Sequence, residues 1–324
     1  MNVRDFIDAH YLNFNSRELR EAARAYEAHI QAGGKMLVSL AGAMSTARVG
    51  RILSRAMDAD LVHAISCTGA NLEEDVFTLL SGSEYEAIPD WRALRAEDEQ
   101  ALYERGMNRV TDTCIPETVM RHIEERLLER WVDACADGSS ALPSEHLHAV
   151  LQDPRVIEHF ETPSDSWMLA AARNSIPVFT PGWEDSTTGN MFAAAVYRGE
   201  VAHHGCVNSG TEQMVRLMRW YQEHCAPKAS APSVGFFQVG GGIAGDFAIC
   251  AVPTMIQDLK MENTPFWGYF CQISDAVTSY GGYSGAVPNE KITWGKLTPS
   301  TPKFMVQSDA TIVFPLILAY LLGD

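Results

Sequence analysis

The chain has 324 residues, 46% of them hydrophobic and 20% charged, which excludes a disordered or fibrous protein and allows one large α/β unit. Its formal charge of −16 would repel phosphate backbones and argues against a nucleic-acid partner. The seven cysteines (67, 114, 135, 206, 225, 250 and 271) form no CxxC pair, which predicts reduced thiols in a cytoplasmic protein and no metal site.

The apolar residues near the start are interrupted by Arg4, Asp5, Asp8 and Arg17, so no secretory leader is expected. Residues 15–31 read as an amphipathic helix. Asn15 would cap it, Glu18 would close a capping box, and Leu19, Ala22, Ala23, Tyr26 and Ile30 share a face. Gly33-Gly34 stops it. Residues 35–40 read as a buried strand, followed by a helix over about 45–57. Leu61–Cys67 is a second apolar run. Thr68-Gly69-Ala70-Asn71 follows, then a helix opening at Leu72 with Glu73, Glu74 and Asp75 in its first turn. Residues 97–105, 116–136, 143–151 and 165–173 read as helices and form a helical insertion at about 97–170.

Strand–helix alternation then resumes. Residues 176–180, 233–239, 266–273 and 303–307 read as strands, 189–197 and 210–225 as helices, and 226–233 as a surface connection. The run Ala310–Leu322 reads as a final helix; it contains Pro315 and is too short to cross a bilayer, so no membrane partner is expected. Alternating strands and helices predict an α/β fold, with a Rossmann-like parallel sheet covered by helices on both faces, in a single domain over 1–324.

Gly240-Gly241-Gly242-Ile243-Ala244-Gly245 fits GxGxxG. It follows an apolar strand and precedes a helix, the arrangement that lets backbone N–H groups approach a pyrophosphate. A glycine turn in any α/β fold would read the same way. Asp258 and Glu262 lie near the spacing of a ribose-binding acid and read equally well as helix-surface charges. The segment 280–296 combines a glycine-rich loop, Glu290, Trp294 and Lys296. Only six lysines stand against nineteen arginines, and three of the six fall between 291 and 303. A lysine desolvated beside an aromatic ring can lose its proton and form an imine, whereas a solvated surface lysine is the competing reading.

Further residues carry a more specific signal. Ser284-Gly285-Ala286, Pro288-x-Glu290 and Trp294-Gly295-Lys296, followed by Ser308-Asp309-Ala310 and Val313-Phe314-Pro315, resemble the deoxyhypusine synthase family. Cys67–Asp75 is similar to that family's TT-x-G-x-x-EED, Gly106–Val110 to its GINRI, and Gly240–Gly242 to its GGG. Ile176–Pro181 with Asp185 and Gly189 is similar to its IPVF-x-P…D-x-x-x-G. The ordered set spans about residues 10–322.

The resemblance implies a Rossmann-like homotetramer with active sites at dimer interfaces. It implies NAD-dependent transfer of an aminobutyl group from spermidine, through a lysine imine, to a second amine, in the family a lysine on a protein. An unactivated C–N bond resists cleavage until its carbon is oxidised, which is why a hydride cofactor is needed. Carried over, Lys296 is the imine-forming lysine, Trp294 shapes the amine channel and Glu290 holds a polyamine nitrogen. Thr68, Glu74, Asp185, Gly241, Gly242, Asp309 and Ala310 would contact NAD.

Asp246 stands where the family has a histidine and could serve as base or cation ligand. Asn190, Tyr280 and Tyr283 stand where it has acids. Losing three carboxylates weakens recognition of a long polycation, each charge-assisted bond being worth about 1.5–3 kcal/mol. The substitutions therefore point to a smaller amine, in a homospermidine-synthase-like or agmatine-using reaction, with the tyrosines taking a cation through their rings and Asn190 in the substrate site. A non-catalytic NAD-binding protein is the alternative from a different class.

Overall fold

The computed structural model describes residues 1–226, 230–277 and 281–324. Part of the expected connection at 226–233, and Tyr280, lie outside the described residues. Six parallel strands form the central sheet: β1 (Met36–Leu40), β2 (Ala64–Cys67), β6 (Val178–Phe179), β7 (Gly235–Val239), β8 (Tyr269–Ile273) and β9 (Lys303–Val306). Their spatial order is β6-β2-β1-β7-β8-β9. The chain winds outward from β1 in one direction and then, from β7, in the other. The order therefore reverses between β1 and β7, and the loops after these two strands frame the crevice where α/β sheets bind ligands.

The strands are short and almost wholly apolar because both faces are covered. Val38, Leu40, Ile65, Phe237 and Val239 point to one face, against helices Phe14–Gln31, Gly50–Asp58 and Ala310–Leu322. Leu37, Ala64, Phe236 and Phe270 point to the other, against Gly210–His224 and Gly242–Ile249. The expected Rossmann-like sheet is present.

Several local expectations are corrected. The first helix starts at Phe14, and Asn15 and Glu18 do not cap it. Asn15 Nδ2 donates to the Gln307 carbonyl at 2.7 Å, and its Oδ1 accepts from Gln307 N–H at 2.9 Å. Glu18 Oε1 accepts from Met305 N–H at 3.1 Å. Both side chains thus cover backbone groups of the edge strand, which competes with local capping. A short helix at Val3–His10 escaped the sequence reading because it buries only Ile7.

The stretch 97–170 holds helices near the expected places, but the one expected over 116–136 is split into a 3-10 helix (Glu117–His122) and an α-helix (Glu124–Asp137), and the stretch also holds a hairpin of β4 (Met107–Val110) and β5 (Thr113–Pro116). With β3 (Glu86–Ala87) it makes a second, antiparallel sheet. The turn places Thr111 at φ +55°, and the strands are too short for a periodicity signal. The helix after β2 begins at Gly69 with Thr68 as its cap, so Glu73, Glu74 and Asp75 sit in its second turn and are buried. Among the described residues, no helix is long and apolar enough to cross a membrane.

Candidate active site

Two glutamines organise the region around Lys296. Gln238 and Gln272 are register partners on β7 and β8, and both are fully buried on the second face. A buried amide in an apolar strand must find hydrogen-bond partners. Gln238 Oε1 accepts from the Tyr283 hydroxyl at 2.7 Å, and its Nε2 donates to the Gly240 carbonyl at 2.9 Å. Gln272 Nε2 donates to the Ser284 carbonyl at 2.7 Å, and its Oε1 accepts from Lys291 Nζ at 3.2 Å. Together they fasten the 283–291 segment over the sheet. Gly241 permits this approach, since a Cβ there would lie 2.7 Å from Ser284 Cα.

Beneath that segment lies a cavity of about 450 Å³ lined by Asp246, Tyr283, Glu290, Lys291, Trp294 and Lys296. Lys296 is only 6% exposed, and its Nζ donates to Asp246 Oδ1 at 3.0 Å. Asp246 projects from the second turn of the helix Gly242–Ile249 that opens on the glycines. One turn further on, the Cys250 thiol donates to the same Oδ1 at 3.8 Å, and burial pushes that thiol up. Trp294 is 67% exposed, and Glu290 is exposed beside it. Five residues singled out by sequence (Lys296, Asp246, Trp294, Glu290 and Tyr283) therefore share one cavity.

Lys291 was not singled out. It is 2% exposed on the short helix Glu290–Thr293. Besides Gln272, its Nζ donates to the Ala286 carbonyl at 3.3 Å and stands 4.8 Å from the Tyr283 ring centroid and 5.0 Å from that of Phe270. Lys296 Nζ lies 5.5 Å from the same Tyr283 centroid. Burial pushes the Lys291 ammonium down to about 8; the charge of Lys296 acts in the same direction, and Glu290 and Asp246 oppose it. The ring of Tyr283, expected to receive a substrate cation, thus already faces two protein ammonium groups. The buried Gln238 and Gln272, also missed, carried a readable signal: each is an amide inside an otherwise apolar strand.

The expected nucleotide contacts are spread along the carboxyl edge of the sheet. Thr68 caps the helix Gly69–Ser81 and donates its hydroxyl to the Gly42 carbonyl at 2.7 Å. Asp309 caps the helix that opens at Ala310, accepting from Thr311 N–H at 2.7 Å. Gly241 and Gly242 form the turn after β7, and Asp185 is exposed in the loop after β6. Asn190 Nδ2 donates to the Ser186 carbonyl at 2.5 Å, and the residue does not line the Lys296 cavity. Glu74 lines a separate cavity of about 470 Å³ with Glu73, Phe77, Asn108, Glu117 and Met191. Burial, then the charge of Glu73, pushes its carboxyl up to about 8. Asp258 and Glu262 are exposed and do not line the Lys296 cavity, as surface charges would be.

The family model of deoxyhypusine synthase matches residues 7–321. The chain belongs to the deoxyhypusine synthase family. A "deoxyhypusine synthase-like protein" of Cyanothece sp. is 28% identical, over 100% of this chain and 80% of its own length. A "probable deoxyhypusine synthase 1" of Archaeoglobus fulgidus is 26% identical, over 95% and 90%. In fold, the chain is similar to a crystal structure of a "putative deoxyhypusine synthase" from Entamoeba histolytica, at TM-score 0.59 and 13% identity, covering 100% of this chain and 94% of that one. The chain is thereby a transferase of this family.

Proposed function

We propose that this chain is an NAD-dependent aminoalkyl transferase in which Lys296 carries the transferred group as an imine. The observation that carries this reading is the buried Lys296 amine in contact with Asp246, inside a cavity that opens past Trp294 and Glu290. Features of the carboxyl edge fit NAD. Gly242 adopts φ +65°, with open space where a Cβ would stand, so a cofactor can approach the backbone. The helix after Thr68 and that after Asp309 open on the same edge; Glu74 and Ala310 on those helices, Gly241 after β7 and Asp185 after β6 are the further holders this reading assigns.

When bound, NAD supplies a hydride acceptor that turns the carbon beside an amine nitrogen into an electrophile, and a hydride donor for the reverse step. Lys296 is placed to add its amine to that carbon and displace the leaving amine, which departs with the proton it needs. Asp246 Oδ1 is the atom placed to take the proton from Lys296 Nζ and to return it, the role the family gives to a histidine. Glu290, exposed at the mouth, offers its carboxylate to the ammonium of an arriving amine. A second amine then exchanges with Lys296, which regains its free form. The donor is a polyamine or smaller amine, and a protein lysine is an acceptor of the same chemistry. The exposed Trp294 and Ile243 give apolar surface that a second subunit of a homotetramer would cover. Asn190 would reach a substrate only from such a neighbour. The cytoplasm suits this chemistry.

The test follows nicotinamide reduction when spermidine, putrescine or agmatine is added with NAD. The native chain is expected to reduce NAD with at least one amine and, on borohydride trapping, to give an aminoalkyl adduct on Lys296, whereas Lys296→Ala keeps NAD binding and loses adduct formation and transfer to a second amine by a factor of at least about 10³. Undiminished transfer to a second amine by Lys296→Ala would overturn the assignment.

A further inference from the structure

The cavity that would receive the amine already contains an ammonium group with no acid of its own. Among the described residues, Lys296 pairs with Asp246, whereas Lys291 forms no ion pair. Its Nζ is held by two neutral oxygens, Gln272 Oε1 and the Ala286 carbonyl, and by the faces of Tyr283 and Phe270. Neutral acceptors together with aromatic faces make the kind of cage that recognises an alkylammonium. The cage is fixed in place: Gln238 anchors the Tyr283 hydroxyl, Gln272 is held by Ser284, and both glutamines belong to the sheet.

We propose that Lys291 is a specificity-determining residue, a built-in occupant of the alkylammonium seat between Tyr283 and Phe270, and that it restricts the cavity to amines carrying one positive charge fewer than a linear triamine. This rests on the reading of Lys296 as the imine-forming residue.

The physical basis is like-charge repulsion in a confined space. A donor amine reacting at Lys296 must extend past Lys291, because both line the same cavity. The middle ammonium of a triamine would be driven against Lys291 Nζ, while Asp246 is paired with Lys296 and Glu290 stands exposed at the mouth, where it meets the far ammonium. A diamine has a methylene chain there and keeps its far ammonium for Glu290 at the mouth. Tyr283 in place of an acid is consistent with this, because a seat filled from within needs no additional carboxylate. The selection is negative: Lys291 does not improve contact with the preferred amine but penalises the longer one.

The experiment measures equilibrium binding of putrescine and spermidine to the NADH-loaded protein, which cannot take a hydride from the amine, by calorimetry, for the native chain and for Lys291→Met, Lys291→Gln and Lys291→Arg. The read quantity is the ratio of the two dissociation constants, in which nonspecific attraction to the acidic surface cancels between variants. The proposal expects the native ratio to favour putrescine and to shift toward spermidine by about tenfold or more in Lys291→Met. Lys291→Gln should shift it likewise and keep a hydrogen-bonding head in the cage should Met disturb it. Lys291→Arg, which keeps the charge, should stay near the native value. Both amines binding with an unchanged ratio in the two neutral variants would overturn the role of Lys291 and leave Lys296 untouched. Failure of the native chain and all variants to bind either amine would overturn the amine-transfer reading and this proposal with it.

Discussion

Two buried clusters of ionisable groups differ in how their charges are compensated. On the helix Gly69–Ser81, Glu73 accepts from Thr187 N–H, Thr188 N–H and the Thr188 hydroxyl at 2.9, 2.7 and 3.0 Å. Asp75 accepts from the Ser166 hydroxyl at 2.6 Å and Met168 N–H at 3.0 Å. Each carboxylate sits at the N-terminus of another helix, where the dipole favours it. Glu74 between them has a buried Oε2 without a hydrogen-bond partner. In the other cluster Lys296 has Asp246, whereas Lys291, among the described residues, contacts neutral acceptors and rings and forms no ion pair. Both clusters therefore combine partnered members, which hold elements together, with one member of the same charge that is not matched. A buried charge without an opposite partner is expensive, so it persists where a site needs it. What the comparison teaches is that the unmatched members, Glu74 and Lys291, mark the places where a bound molecule would change the balance.

The acidic cluster gives the larger expected effect. The Glu74 carboxyl is pushed up to about 8 from an ordinary value of 4.5, so the folded chain holds a proton there that the unfolded chain releases. Stability then carries no penalty from Glu74 below about pH 4.5 and falls as pH rises to 8, by about 5 kcal/mol. Asp75, pushed up to about 6 by burial, adds to the lower part of that fall. Glu74→Gln should abolish the part between pH 6 and 8, as read from urea unfolding at fixed pH. A fall of the same size in the variant would detach Glu74 from it.

The basic cluster should show the opposite trend at higher pH, and a smaller one. Lys291 is pushed down to about 8 from an ordinary 10.5, so between these values the unfolded chain binds the additional proton. Stability should rise across pH 8 to 10.5 by about 3 kcal/mol, and Lys291→Met should lack that rise, as read from urea unfolding at fixed pH. A rise of the same size in Lys291→Met would detach Lys291 from it.

The sheet, its parallel sense and most helices were legible from periodicity, because strands buried on both faces leave continuous apolar runs. Lys296, Asp246, Trp294, Glu290 and Tyr283 were legible because a motif carries them within one short segment and one glycine turn. Lys291 was not, because nothing local marks a lysine as buried; only the position of Gln272 beneath it does, and that comes from a strand far off in sequence. Asn15 and Glu18 were misread for the same reason, since their side chains serve β9, almost three hundred residues away, rather than their own helix. The hairpin at 107–116 was missed because four-residue strands around a strained turn have no period to read.

The central claim is that Lys296, and not its neighbour in the same cavity, carries the transferred group. The direct measurement is borohydride trapping with NAD and putrescine, agmatine or spermidine, followed by peptide mass mapping of the 281–303 segment. The account predicts an aminoalkyl adduct on Lys296, with Lys291 unmodified. An adduct on Lys291 alone, or reduced nicotinamide without any lysine adduct, would contradict it.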